Sequence, residues 1–128
     1  MRFDFEGLDT AVADKLMADL EAKLPTLNGK IYNGSTVSEA APFVYNDPVD
    51  HSSTQNGLIV KFADGSRIVY RLSGTGSSGA TLRVYLEKYE QNKLDEDPQK
   101  MLQPILEIAM DIAEITSRTG KQHADVIT

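Results

Sequence analysis

The chain has 128 residues, 41% of them hydrophobic, enough to enclose one core and too few to count on two, so a single domain over residues 1–128 is expected. It contains no cysteine, which excludes a disulfide framework and a thiolate metal site and suits a reducing compartment, with the cytoplasm as the default. A formal net charge of -6 repels polyanions, arguing against nucleic acid or an anionic membrane as partner, while the start, MRFDFEGLDT, lacks the regions of a signal peptide and no stretch approaches the roughly 18 apolar residues of a bilayer span.

From the N-terminus, Leu8, Val12, Leu16, Leu20 and Leu24 recur at helical spacing, with Met17 beside them, and Pro25 is expected to stop that helix. Residues 26–38 are rich in Asn, Gly, Ser and Thr and read as loop, with Ile31-Tyr32 a short extended piece. A strand is expected at Phe43 to Tyr45, followed by DPVDHSSTQNG, whose Pro48 and turn formers argue against regular structure. Gly57 to Ala63 and Ser66 to Leu72 then read as a hairpin closed by a two-residue Asp64-Gly65 turn. Pairing outward from that turn sets Phe62 opposite Arg67, Val60 opposite Val69 and Leu58 opposite Arg71. Both faces are then largely apolar, which predicts a central hairpin covered on both sides.

Farther on, Leu82, Val84 and Leu86 alternate with Arg83, Tyr85 and Glu87 as in a strand. Asp97 and Pro98 suit the start of a helix in which Met101, Ile105, Ile108, Ile112 and Ile115 share one face up to Gly120. Pro104 removes one backbone hydrogen bond, so a kinked or separate first turn is expected. No internal repeat is visible. This order of elements predicts an α+β fold: a mainly antiparallel sheet with N- and C-terminal helices packed on it.

The chemistry concentrates in RLSGTGSSGATLR, Arg71 to Arg83. Between Leu72 and Ala80 every side chain is absent or a hydroxyl, so backbone N–H groups and hydroxyls can close on one small anion. Arg71 and Arg83 flank the segment, and Lys61 and Arg67 are near it in sequence; guanidinium forks add charge-assisted hydrogen bonds to phosphate oxygens. On residues alone, a flexible Gly/Ser connection and an anion site both remain open. GTGSSG also fits GxGxxG, but a dinucleotide site needs a helix after the glycines, whereas TLRVYLEKYE alternates like a strand. There is no GK[ST] ending and no HRD- or DFG-type segment, which removes the Walker and kinase readings.

The segment resembles the phosphate-binding loop of the C-terminal domain of phosphoglucomutases, within the α-D-phosphohexomutase superfamily. The resemblance extends to FDFEGLD, to YNDPVD at Tyr45 to Asp50, to DGSRIVYRLSGTGSSGATLRVYLEKYE from Asp64, and to DPQKMLQPI and RTGKQHADVIT. Gly76 and Ser77 stand where members acting on mannose or glucosamine phosphates carry Glu and Pro, which resembles the glucose-specific branch. The resemblance implies a four-domain enzyme that interconverts glucose 1-phosphate and glucose 6-phosphate through a phosphoserine and a bisphosphorylated sugar. Its C-terminal domain, similar in fold to TATA-box binding protein, grips the phosphate that is not reacting. Carried over position by position, Arg71, Ser73, Gly74, Thr75, Gly76, Ser77 and Arg83 are the expected phosphate contacts. The implied partners are glucose phosphates and the other domains of the enzyme, with Mg²⁺ bound outside this chain and Met1 marking an internal cut. No metal-loop, phosphoserine or sugar-reading segment of the family is present, so the chain alone is expected to be inactive. The rival reading is a free-standing anion- or nucleotide-binding module without catalysis.

Other polar residues have simpler explanations. Asp47, Asp50 and His51 could be taken for metal ligands, but Asp-Pro-x-Asp forms turns far more often, and the family usually has Gly in place of His51. His123 sits in a polar tail, and Asp95 to Asp97 suit a loop and helix cap. Tyr85 and Tyr89 could offer a stacking platform for bases, which the negative charge disfavours; packing is the expected role.

Overall fold

The computed structural model describes residues 1–32, 34–46, 53–76, 79–88 and 98–128. In chain order they form β1 (Arg2–Leu8), α1 (Thr10–Leu27), β2 (Ile31–Tyr32), β3 (Ser35–Asn46), β4 (Ser53–Phe62), β5 (Arg67–Gly76), β6 (Gly79–Glu87), α2 (Pro98–Ala113), α3 (Ile115–Thr119) and β7 (Val126–Ile127). The strands make one seven-stranded sheet in the order β2-β3-β4-β5-β6-β1-β7, each neighbouring pair antiparallel. The α+β architecture read from the sequence is therefore present.

Helix α1 starts where the Asp9 carboxylate accepts hydrogen bonds from the N–H groups of Ala11 and Val12, satisfying two donors that have no partner inside the helix. Its Leu16, Leu20, Leu24 and Leu27 are buried, and so are Leu102, Ile105, Ile108 and Ile112 of α2. These stripes meet Phe3, Phe5, Leu58, Val60, Ile68, Tyr70, Leu82 and Val84 of the sheet in a single core. Each such side chain contributes about 1.5–3 kcal/mol on burial, so packing rather than helix propensity fixes the helices on the sheet. Tyr70 adds a directional tie, its hydroxyl donating to the buried Ala109 carbonyl of α2 at 2.6 Å.

Several local expectations are corrected. The opening residues before α1 form a strand, so Leu8 belongs to β1, and the polar C-terminal tail supplies β7 beside it. Pro25 lies in the last turn of α1, which runs on to Leu27. β3 begins at Ser35 and β4 at Ser53, so part of each segment read as loop is strand. α2 runs through Pro104 as one element, and the helical stretch divides instead at Glu114, whose φ of 54° breaks the repeat before α3.

The hairpin register differs by one residue. Gly65 (φ 93°) closes a turn in which its N–H donates to the Phe62 carbonyl, and the Phe62 N–H bonds the Ser66 carbonyl. The connection is thus three residues long, and the pairs are Leu58 with Tyr70, Val60 with Ile68 and Gly57 with Arg71. The slip gathers Leu58, Val60, Phe62, Ile68 and Tyr70 on the helix-covered face and leaves Ile59, Val69 and Arg71, all half-buried, on the other. The hairpin is central to the sheet as expected, but the expected cover on both sides is only partial: its second face is half-buried, and among the described residues the helices lie on the other.

Gly79 (φ 95°) opens β6 against the end of β1, and a Cβ there would stand 2.7 Å from the Leu8 carbonyl oxygen. Both the left-handed backbone and the backbone clash oppose any side chain, so Gly79→Ala is expected to lower unfolding stability by about 2–3 kcal/mol. Chemical denaturation measures this; an unchanged midpoint would contradict the close β1–β6 approach.

Candidate functional site

The alternation of β6 decides which side chains face away from the helices. Ala80, Leu82, Val84 and Leu86 are buried in the core, while Thr81, Arg83 and Tyr85 point to the open face and are half-buried. Across the β5–β6 ladder Arg71 pairs with Arg83, Leu72 with Leu82 and Ser73 with Thr81. Residues directly opposite in an antiparallel pair share a face, with Cβ atoms about 4.5–5.5 Å apart. The two arginines therefore stand side by side on the open face, with Ser73 and Thr81 next along the hairpin toward its tip.

Beyond Ser73 the ladder shifts. Three steps along β5, from Ser73 to Gly76, are matched by two along β6, from Thr81 to Gly79. That is a bulge, which bends a strand and re-aims its backbone groups. The segment expected to be a loop is thus drawn into the sheet as far as Gly76, and Gly74 and Thr75 occupy the bulge. Of the expected contacts, Arg71, Ser73, Gly74, Thr75, Gly76 and Arg83 are brought to one end of one hairpin; Ser77 lies outside the described residues.

The electrostatics single out Arg83 among the nearby cations. Lys61 reaches Glu39 at 3.6 Å, and Arg67 forms a fork with Glu87 at 2.8 and 2.9 Å, a contact that holds the Glu87 carboxyl below its ordinary pKa. The Nε of Arg83 is buried and has no hydrogen-bond partner among the described residues. A buried donor without an acceptor costs about 1–3 kcal/mol, and a second cation directly opposite adds repulsion. An oxyanion between the guanidiniums would relieve both.

Reading motifs alone missed β1. Asp4 pairs with Arg83 across the β1–β6 ladder, is 4% exposed, and has its Oδ1 3.0 Å from the Nε of Arg2. The signal was present in RFDF, where Arg2 and Asp4 alternate with the core residues Phe3 and Phe5. Tyr85 shares the open face, opposite Val69 and Arg2, while the exposed His123 lines a groove with Phe3, Leu106, Met110 and Ile127, which does not include the arginine pair. Asp47, Asp50, His51, Tyr89 and Asp95 to Asp97 lie outside the described residues. Among the described residues no cluster of His, Asp or Glu could hold a metal ion, and no helix is long and apolar enough to cross a membrane.

The family model described as "Phosphoglucomutase-1, C-terminal domain" matches residues 1–125. Phosphoglucomutase-1 of Oryctolagus cuniculus is 45% identical over 139 residues, a match covering 99% of this chain and 24% of the relative. Phosphoglucomutase of Schizosaccharomyces pombe is 44% identical over 133 residues, again covering 99% of this chain and 24% of the relative. Among solved structures, the open form of pp63/parafusin, an exocytosis-sensitive phosphoprotein and phosphoglucomutase from Paramecium, superposes with a TM-score of 0.78 at 38% identity. That match covers 99% of this chain and 22% of the other. The chain thus spans about a quarter of the length of these curated relatives. With a match along nearly its whole length, the chain belongs to the C-terminal domain family of phosphoglucomutase-1.

Proposed function

We propose that this chain is the phosphate-gripping domain of a cytoplasmic phosphoglucomutase that interconverts glucose 1-phosphate and glucose 6-phosphate. The observation that carries the reading is the placement of Arg71 directly opposite Arg83 at the foot of the Gly/Ser hairpin. In this role the two guanidiniums supply the charge. Ser73, Thr75 and Ser77 add hydroxyls, and the backbone of Ser73, Gly74, Thr75 and Gly76 adds N–H donors that no bulky side chain shields. The grip orients a glucose phosphate by its unreactive phosphate, so that binding energy is spent on positioning.

The reacting groups belong elsewhere in this proposal. Ser73, Ser77 and Ser78 act in this role as hydrogen-bond donors, not nucleophiles. Mg²⁺, which would act as a Lewis acid in the enzyme, finds no cluster of ligands among the described residues of this chain and would be held by another domain. A domain carrying only the grip binds but does not transfer. Neither glucose phosphate is expected to be converted by the 128-residue chain in a coupled assay; turnover that survives repurification would contradict this division of labour.

Affinity should be weak, because charge-assisted hydrogen bonds of about 1.5–3 kcal/mol each are offset by ordering of the loop and ligand. We expect a dissociation constant on the order of 1 mM, about -4 kcal/mol, similar for inorganic phosphate and glucose 6-phosphate, and weaker at high salt. Titrating the ¹⁵N-labelled chain should shift the amides of residues 73–76, and Arg71→Ala with Arg83→Ala should abolish the response. Unchanged affinity in that double variant would place the site elsewhere.

A further inference from the structure

Asp4 is a costly residue for its position. Its side chain is 6% exposed, inside a strand where a β-branched apolar residue would pack without desolvating a charge. Its compensation is incomplete: Arg2 Nε approaches Oδ1 to 3.0 Å, yet Oδ1 has no partner at hydrogen-bonding geometry among the described residues. On the other side, β1 pairs Asp4 directly with Arg83, whose Nε is likewise buried without a hydrogen-bond partner among the described residues. Because directly opposed residues share a face, Arg2, Asp4, Arg83 and Arg71 follow one another across β1, β6 and β5.

We propose that Asp4 is a positioning and affinity-setting residue for the phosphate site, the fixed counter-ion that holds the charge of Arg83 while the site is empty and limits how tightly phosphate is gripped. The inference rests on the phosphate-binding reading of the Arg71–Arg83 pair. A bound phosphate dianion and the Asp4 carboxylate on the neighbouring strand both act on Arg83, and across about 7–10 Å in a solvated setting one charge alters affinity by about three- to tenfold. Arg2 draws part of the Asp4 charge away from Arg83, and so favours the phosphate. Such restraint serves a domain that must release and recapture a phosphate when a bisphosphorylated sugar turns over, which excessive affinity would slow.

The test compares the wild-type chain with Asp4→Asn, and with Asp14→Asn, which removes the same charge from the exposed side of α1. Dissociation constants for inorganic phosphate come from amide shifts of residues 73–76, and melting temperatures are taken at rising phosphate. Asp4→Asn should bind phosphate about three- to tenfold more tightly, while Asp14→Asn stays within about twofold of wild type. Ligand-free Asp4→Asn should melt below wild type, and the gap should narrow as phosphate is added, which a purely structural role would not produce. Equal or weaker binding by Asp4→Asn overturns the inference. Should that variant not fold, Arg2→Gln decides: the inference requires weaker phosphate binding, and an unchanged constant overturns it. A wild-type chain that binds no phosphate would remove the underlying reading as well, whereas normal wild-type binding without these variant effects removes only the role of Asp4.

Discussion

The pairing of β6 with β5 on one side and β1 on the other is the constraint on which the site depends. It sets Arg83 between Arg71 and Asp4, and brings the Leu8 carbonyl so close to Gly79 that no Cβ fits. Strand periodicity leaves no intermediate arrangement. A one-residue slip of β6 would turn Arg83 into the core and Leu82 or Val84 out of it, exchanging a half-buried cation for a buried one. The burial of Leu82, Val84 and Leu86 under the helices thus specifies where the arginine stands.

Packing and the candidate site occupy opposite faces of the same strands. The helix-covered face is fixed by contacts that are expensive to lose, including Tyr70 beneath Ala109. The open face carries the polar groups, and their backbone mounts inherit that rigidity. At the hairpin tip the bulge between Ser73 and Gly76 departs from the ladder and leaves Gly74 and Thr75 outside its regular pairing. A preorganised arrangement of this kind lowers the ordering cost of binding, even where the glycines themselves are permissive.

Much of this was legible in the sequence, for definable reasons. The four-residue spacing of Leu16, Leu20 and Leu24 and the two-residue alternation around Arg83 are strong periodic signals, and both elements are present. The Gly/Ser segment between Arg71 and Arg83 left a flexible connection and an anion site both open on residues alone, and it was the resemblance along the rest of the chain that pointed to the family. What sequence reading missed depends on distant partners. β1 is a strand because it pairs with β6 and with β7, both distant in sequence, β7 because it pairs with β1, and Asp4 acquires its meaning only from the residue opposite. The hairpin register failed for a local reason: Asp64-Gly65 suits both a two-residue turn and a three-residue one with glycine in the left-handed region, and burial of Ile68 and Tyr70 selects the latter.

The central claim is that the opposed arginines and the bulged backbone beside them form one oxyanion site. A crystal structure of the chain grown from phosphate tests it most directly. The account predicts a phosphate on the open face, within hydrogen-bond distance of the Arg71 or Arg83 guanidinium and of backbone N–H groups in residues 73–76. An ordered hairpin with those N–H groups turned into the protein, and both arginines paired with carboxylates in the presence of phosphate, would contradict it.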